Sequence, residues 1–433
     1  MKSLQVNYMV KFWKNRSFKI MRNSFIIVFF IFFTSVVFSQ IANGNIETYM
    51  SNIIDNMPGS SGNDYIVPNT SQLNTWNTVI NFILDDNLQD ARSNTSSINY
   101  QITEFTDTSV SPDQVFYILE ENIPQSNYWG TYVFSKTPTR NNLIIQAPHS
   151  KFDTNTGKQA VYCFKRLVAR ALFINGTHRC NSIALSSCSG TTSVCGSSDS
   201  YRVSDMAHST NSMFQKTTEN LFNNISNSVF IQLHGFAKRT TDPYVIMSNG
   251  TRETPETDYA VLIKDELILE DGTLTFELVH INTSWSRLTG FTNTQGRLIN
   301  NSDDPCGTSA IATSGRFIHI EQEKSKLRND ESKWNKMSNA LINVFFSTLS
   351  IDDIGSKPSI SVSPNPAREK FIITGNYINH IEIYNSFGQK IVTKINVKNE
   401  KSLIIELDKI NAGIYFLKIT TDIGITSRKL IHL

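Results

Sequence analysis

With 433 residues the chain exceeds one ordinary domain, and its 39% apolar and 11% aromatic composition supplies a real core. Its 40 basic and 38 acidic residues leave a formal charge of +2, so nothing in the charge balance argues for a nucleic-acid partner, which would call for a basic excess or patch.

The chain opens on an address. "MRNSFIIVFFIFFTSVVFSQ" has a basic start, an apolar run from Phe25 to Phe38 and a small residue, Ser39, at the expected cut. The run is too short and wrongly flanked for a membrane span, so residues 1–40 are predicted to be a secretory signal peptide. Met21 stands at the head of the compact signal and is the expected true start.

Residues 41 to about 95 show helical periodicity, clearest in "QLNTWNTVINFILDDNL". Short β-like runs follow: "INYQITEFT", "VFYILEE" and "LIIQAP". "TGKQAVYCFKRLVARAL" is predicted to be one helix, with Val161, Phe164, Leu167, Val168 and Leu172 on its apolar side. A second helix is expected in "HSTNSMFQKTTENLFNNI". "SVFIQLHG" is a buried strand ending at His234, "YVIMSNG" a strand and turn, and "RFIHIEQE" a late strand. Strands alternating with helices predict an α/β domain with a mixed sheet over residues 41–350. After a break at 351–360, residues 361–433 change to short alternating strands with Asn/Gly turns, the pattern of a small antiparallel β-sandwich.

Export implies an oxidising compartment. Cys180, Cys188 and Cys195 lie in "HRCNSIALSSCSGTTSVCGSS" and Cys306 in "NNSDDPCGTSA", both turn-rich. Two disulfides among these four are expected, with three connectivities open. A zinc knuckle is disfavoured because no close Cys-x-x-Cys pair occurs. Cys163, within a helical pattern, is expected to be buried and free.

A hydrolytic metal site needs about three His or carboxylate ligands, an open position for water and a carboxylate to take the water's proton. Strand ends are where α/β folds gather such groups. His149 and Asp153 follow "LIIQAP", His234 ends its strand, and Glu321 shares a strand face with His319 while Ile318 and Ile320 point the other way. Asp153 stands equally well for a helix cap, and any single histidine for a structural one. In "YRVSDMAHS", Asp205 and His208 open a helix, where His208 is a candidate substrate contact and Asp205 a candidate to orient a ligand. Arg297 and Arg328 are candidate clamps for a substrate carboxylate, although a surface ion pair is the simpler fate of each.

"APHSKFDTNTG", "DMAHSTNSMFQ", "FIQLHGF" and "FIHIEQEKSKLR", in that order over residues 140–340, resemble zinc amidohydrolases of the carboxypeptidase-like fold. Poly-γ-glutamate hydrolases and N-formylglutamate amidohydrolases are the relatives this likeness suggests. The resemblance implies a mixed-sheet α/β hydrolytic domain in which His149, Asp153 and His234 ligate Zn and Glu321 is the general base. The chain departs from that pattern in having Asp where Glu is common, in the spacing of the first motif and in the extra cysteine-rich loop. The tail, through "SPNPA", "IYNSFGQKI", "LDKINAGIYFLKI" and "KLIHL", resembles the C-terminal sorting domain of type IX secretion cargo. That implies the secretion machinery as a partner and a secreted or surface location on a Gram-negative cell.

Two other classes compete with an amide-cleaving zinc hydrolase acting on a small-molecule or peptide substrate. One is a surface protein that binds peptide or glycan on a degenerate hydrolase fold. The other is a serine hydrolase, disfavoured because no Gly-x-Ser-x-Gly elbow occurs.

Overall fold

The period-two runs of the first region assemble into one ten-stranded sheet in the computed structural model, which describes residues 40–345, 360–385, 389–421 and 424–433. The expected signal segment as far as Ser39 and the expected linker as far as residue 359 lie outside the described residues.

In chain order the elements are β1 (Gln40–Gly44), α1 (Ile46–Asp55), α2 (Thr70–Leu84), α3 (Leu88–Thr95), β2 (Tyr100–Asp107), β3 (Gln114–Glu121), β4 (Thr131–Ser135), β5 (Arg140–Ala147), α4 (Thr156–Leu167) and β6 (Ala169–Ile174). There follow β7 (Thr191–Thr192), β8 (Asp199–Ser200), α5 (Met213–Asn224), β9 (Val229–Phe236), β10 (Val245–Ser248), α6 (Tyr259–Glu270), β11 (Phe276–Leu278), α7 (Thr294–Ile299), β12 (Phe317–Glu323) and α8 (Glu331–Val344). The sheet order is β1-β2-β3-β4-β6-β5-β9-β12-β10-β11, and its centre, β6-β5-β9-β12, is parallel. The mixed α/β expectation holds.

Three predicted boundaries are corrected. β9 runs past His234 to Phe236, and Met206–His208, just after Asp205, form only a short 3-10 turn ahead of α5, which begins at Met213. The helix expected to run to Leu172 stops at Leu167, because Val168 turns left-handed at φ 44°, and Ala169–Ile174 form the central strand β6. A fully buried strand is continuously apolar, so its pattern merges with that of a preceding helix. The consequence is topological. From β5 the chain crosses by α4 to β6 on one side, then returns by α5 to β9 on the other. Such a reversal opens a crevice beyond the carboxyl ends of β5 and β9, where open α/β sheets bind ligands.

Packing divides the two faces of the sheet. On one, Ile145, Ile231, Ile318 and Ile320 join a core with residues of α1, α4, α6 and α8. On the other, Ile144, Phe230 and Phe317 pack with residues of α2 and α5. Along this second face each parallel strand changes character toward its carboxyl end. Register neighbours Ile144 and Phe230 give way to Gln146 and Gln232, with His319 beside Gln232, and then to His234 beside Glu321. The face is hydrocarbon where it is sealed and polar where it meets the crevice.

The C-terminal strands are β13 (Ser361–Ser363), β14 (Lys370–Asn385), β15 (Lys390–Glu406), β16 (Gly413–Thr421) and β17 (Gly424–His432). They form one antiparallel sheet rather than the two of the expected sandwich. Register shifts along β14 and β15 bend the long strands, as bulges do, and a bridge from Ala367 to His432 brings the sheet close to closure. Phe371, Ile373, Ile381, Ile383, Leu417 and Ile419 fill its interior.

Candidate metal centre

His149 stands two residues beyond β5, in a tight turn where Asp153 N–H donates to the His149 carbonyl at 2.9 Å. Asp153 is not the cap of α4. The cap position is Asn155, without a side-chain cap bond, and Asp153 Oδ2 instead accepts from Gly235 N–H at 3.1 Å. His234 comes from β9, and all three residues are at most 4% exposed.

Their ligand atoms converge. His149 Nδ1 and His234 Nδ1 are 3.2 Å apart, and Asp153 Oδ2 lies 3.3 Å from the first and 3.4 Å from the second. The opposite nitrogen of each ring is occupied. His149 Nε2 meets Asp205 Oδ1 at 2.8 Å, and His234 Nε2 meets Gln232 Oε1 at 2.8 Å. Each ring has its nearer acceptor at Nε2, at 2.8 Å against 3.3 and 3.4 Å to Asp153 at Nδ1, so we assign the neutral ring's proton to Nε2, which turns both Nδ1 lone pairs toward the Asp153 carboxylate. Acceptors so arranged, in a buried setting, suit a cation among them, and the Arg179 guanidinium already reaches His149 Nδ1 at 3.4 Å.

The electrostatics agree. Burial would raise the Asp153 carboxyl, but His149 and His234 hold it far below the usual carboxylate range. Burial and the Arg179 charge pull His149 down, yet Asp205 and Asp153 outweigh them and its basicity is raised. Burial takes His234 down to about 4. The centre therefore favours positive charge near His149 while His234 stays neutral, as metal ligation requires.

Asp205 carries more than His149. Its Oδ2 accepts from Arg179 Nε at 2.8 Å and from Nη2, and its Oδ1 also meets His208 Nδ1 at 2.9 Å. Burial would raise this carboxyl, but Arg179 and the two histidines hold it well below its ordinary value. His208 is stacked on Tyr201 with centroids 3.6 Å apart, and both line a cleft of about 350 Å³ with His149, His234, Arg179, His319 and Glu321. Thr191, Thr192, Val194, Ser286, Thr289 and Thr292 form much of its remaining wall.

Glu321 stands beside His234 in register across β12 and β9, and burial with the nearby Asp153 charge pushes it up to about 8. Its Oε1 is 3.7 Å from His319 Nε2, while Glu321 Oε2 and His319 Nδ1 are buried without a protein partner. Unpartnered buried polar atoms beside an acceptor cluster fit a site that takes metal and substrate. Among the described residues three groupings could hold a metal ion: His149, Asp153 and His234; His149, Asp205 and His208; and His234, His319 and Glu321.

The two candidate clamps, Arg297 and Arg328, stand outside the lining of this cleft. Arg297 donates to the carbonyls of Phe291 and Cys306 and to Ser189 Oγ, so it ties the cysteine loop to α7 and does not line the cleft. Arg328 donates to the carbonyls of Gln322, Asp153 and Thr154 and packs over Gly235, where a Cβ would lie 2.2 Å from its guanidinium carbon. Arg328 donates to backbone oxygens, and Arg297 to backbone oxygens and the hydroxyls of Ser189 and Ser309. Cys180 pairs with Cys195 and Cys188 with Cys306, while Cys163 is free and buried. Both bridges brace the loop that supplies Thr191, Thr192 and Val194 to the cleft wall.

Arg179 is the site residue missing from the sequence reading. It follows the end of β6, but with β6 read as helix that strand end was invisible, and Arg179 passed as part of the disulfide loop.

The tail matches the family described as the secretion system C-terminal sorting domain over residues 361–432. Residues 361–432 are a type IX sorting domain. The sorting domain implies interaction with the type IX secretion machinery and export to the surface or medium. It includes none of the residues around His149. Curated proteins give no match. Among solved structures the chain is similar to an endo-β-1,4-mannanase from Thermotoga petrophila at 7% identity, over 51% of this chain and 43% of that one, with a TM-score of 0.14. An engineered protein aligns at 13% identity over 50% of this chain and 57% of its own, TM-score 0.15. A double mutant of the Cellulomonas fimi endo-β-1,4-mannanase aligns at 12% identity over 91% and 94%, TM-score 0.14. The chain thus spans about half the length of the first two, and similarity at this level supports no conclusion about fold or function.

Proposed function

We propose that the α/β region is an exported zinc-dependent hydrolase of carboxypeptidase-like fold that cleaves an amide bond in a peptide, γ-glutamyl or N-acyl amino acid substrate. The observation that carries this reading is the meeting of His149 Nδ1, His234 Nδ1 and Asp153 Oδ2 within 3.2–3.4 Å of one another. Two imidazoles and a carboxylate are a common catalytic zinc set. A zinc ion held by them would supply Lewis-acid polarisation of the scissile carbonyl and acidify the attacking water.

The chain's own residues do the rest. Asp205 and Gln232 orient the two imidazoles. Glu321, on the strand beside His234, accepts the proton of the attacking water at a carboxylate oxygen and passes it to the departing amine nitrogen. A raised carboxyl suits both halves of that transfer, since it binds and releases a proton near neutral pH. Arg179, on the cleft wall and charged through Asp205, places a cation where negative charge develops on the carbonyl oxygen.

The test pairs metal content with turnover of a panel of N-acyl amino acids and γ-glutamyl peptides. Glu321→Gln is expected to keep zinc and lose about 10²–10⁴ in kcat. Full activity of Glu321→Gln, or wild-type protein that turns over none of these amides when loaded with zinc, would count against the reading.

A further inference from the structure

Both ring nitrogens of His149 face carboxylates, which only accept, and the nearer one is at Nε2. The tautomer of His234 rests on an amide, whose two ends look alike until their neighbours are traced. Gln232 is wholly buried, and the trace ends on backbone groups whose polarity is not in doubt.

Gln295 Nε2 lies 2.8 Å from the Met206 carbonyl oxygen, which can only accept, so the Gln295 amide has its nitrogen on that side. Gln295 Oε1 therefore faces Gln232 and accepts from Gln232 Nε2 at 3.2 Å. On the other side, Gly296 N–H can only donate, and it donates to Asn293 Oδ1 at 2.9 Å. Asn293 Nδ2 is thereby turned toward Gln232 and donates to its Oε1. Two independent anchors thus orient Gln232 the same way, with nitrogen to Gln295 and oxygen to Asn293. That oxygen is the one 2.8 Å from His234 Nε2.

We infer that Asn293 and Gln295, which make no hydrogen bond to any proposed ligand, are positioning residues that set the proton on His234 Nε2 through Gln232. They leave Nδ1 free to ligate. The relay extends the metal-centre reading given above and rests on it for its purpose, though not for its geometry. Both residues belong to α7 and its cap, so the turn before that helix is part of the metal site's support. Partners that orient a ligand in this way typically govern metal affinity by about 10–100-fold.

Asn293→Asp tests the relay with little change of shape. The new carboxylate can still cap α7 but cannot donate to Gln232; it removes one of the two anchors and draws the amide nitrogen toward residue 293 and His234, against the anchor that Gln295 keeps. Where the amide turns, His234 Nε2 must accept, and the proton moves to Nδ1. Two measurements on the full chain read the result: ¹⁵N shifts of the histidine rings in metal-free protein at pH 8, and zinc affinity by chelator competition. The expected wild-type state is protonated Nε2 and bare Nδ1 at His234. Asn293→Asp should shift the population toward the opposite tautomer and weaken zinc binding, by about 10–100-fold where the shift is complete. A companion pair serves if that variant does not fold: Gln232→Glu keeps the acceptor and should keep the tautomer, whereas Gln232→Leu should lose the bias and the same affinity. A wild-type His234 protonated on Nδ1, or variants that leave both readouts unmoved, would overturn the relay. The expected tautomer in a protein that binds no zinc would support the relay while removing the hydrolase reading, so the two fail separately.

Discussion

His149 Nε2 and Asp205 Oδ1 lie 2.8 Å apart with both side chains buried, and the same carboxylate holds the guanidinium of Arg179. One acidic group thus orients a proposed ligand and neutralises the buried cation of the cleft. Removing it affects two things at once. Asp205→Ala should strand Arg179 without a counter-charge and destabilise the fold by about 3–5 kcal/mol, as breaking a buried pair does. Zinc affinity should also fall about 10–100-fold. Denaturant unfolding and chelator competition on the same preparation check both, and a variant as stable as wild type would contradict the pairing.

Gly235 is expected to tolerate no side chain. Its N–H holds Asp153 Oδ2, and a Cβ would press on Arg328, which itself holds the Asp153 and Thr154 carbonyls. Gly235→Ala should cost about 1–3 kcal/mol through overpacking. It should also weaken zinc binding, because the clash displaces the support of Asp153. Melting temperature and zinc titration report the two effects.

The bridge between Cys188 and Cys306 closes a long segment, with a sequence separation of 118, and braces the cleft rim. Replacing both residues by Ala should lower stability by about 2–4 kcal/mol. Substrate binding should suffer more than zinc binding, since the loop supplies cleft wall and no ligand. A shift in urea midpoint with KM raised and zinc content unchanged is the expected pattern.

Much of the site was legible because its residues sit where hydrophobic runs end. His149 and His234 break apolar strands, and alternation placed Glu321 opposite Ile320, as the two faces of β12 confirm. What was hidden followed from one ambiguity. Between Val161 and Ile174 only Lys165, Arg166 and Arg170 interrupt the apolar residues, at spacings a single amphipathic helix also shows, so the end of α4 and the start of β6 left no distinct mark, and with β6 went the significance of Arg179. That the two candidate clamps stand outside the cleft lining was hidden for another reason. Their partners are mainly backbone carbonyls, some within nine residues and others far along the chain, and no side-chain pattern announces them. The relay through Asn293, Gln295 and Gln232 was invisible for the same cause. α6 was also missed, because its apolar residues, including Val261, Leu262, Leu267 and Leu269, are spread around the helix instead of forming one stripe.

The central claim is that His149, Asp153 and His234 hold one metal ion between them. X-ray absorption at the zinc edge on stoichiometrically loaded protein tests it most directly. The account predicts one tightly held zinc per chain with two imidazole nitrogens at about 2.0–2.1 Å and carboxylate oxygen at about 2.0–2.2 Å. The imidazole signal should weaken in His234→Ala. Protein that binds no zinc, or holds it through sulfur or oxygen alone, would contradict the account.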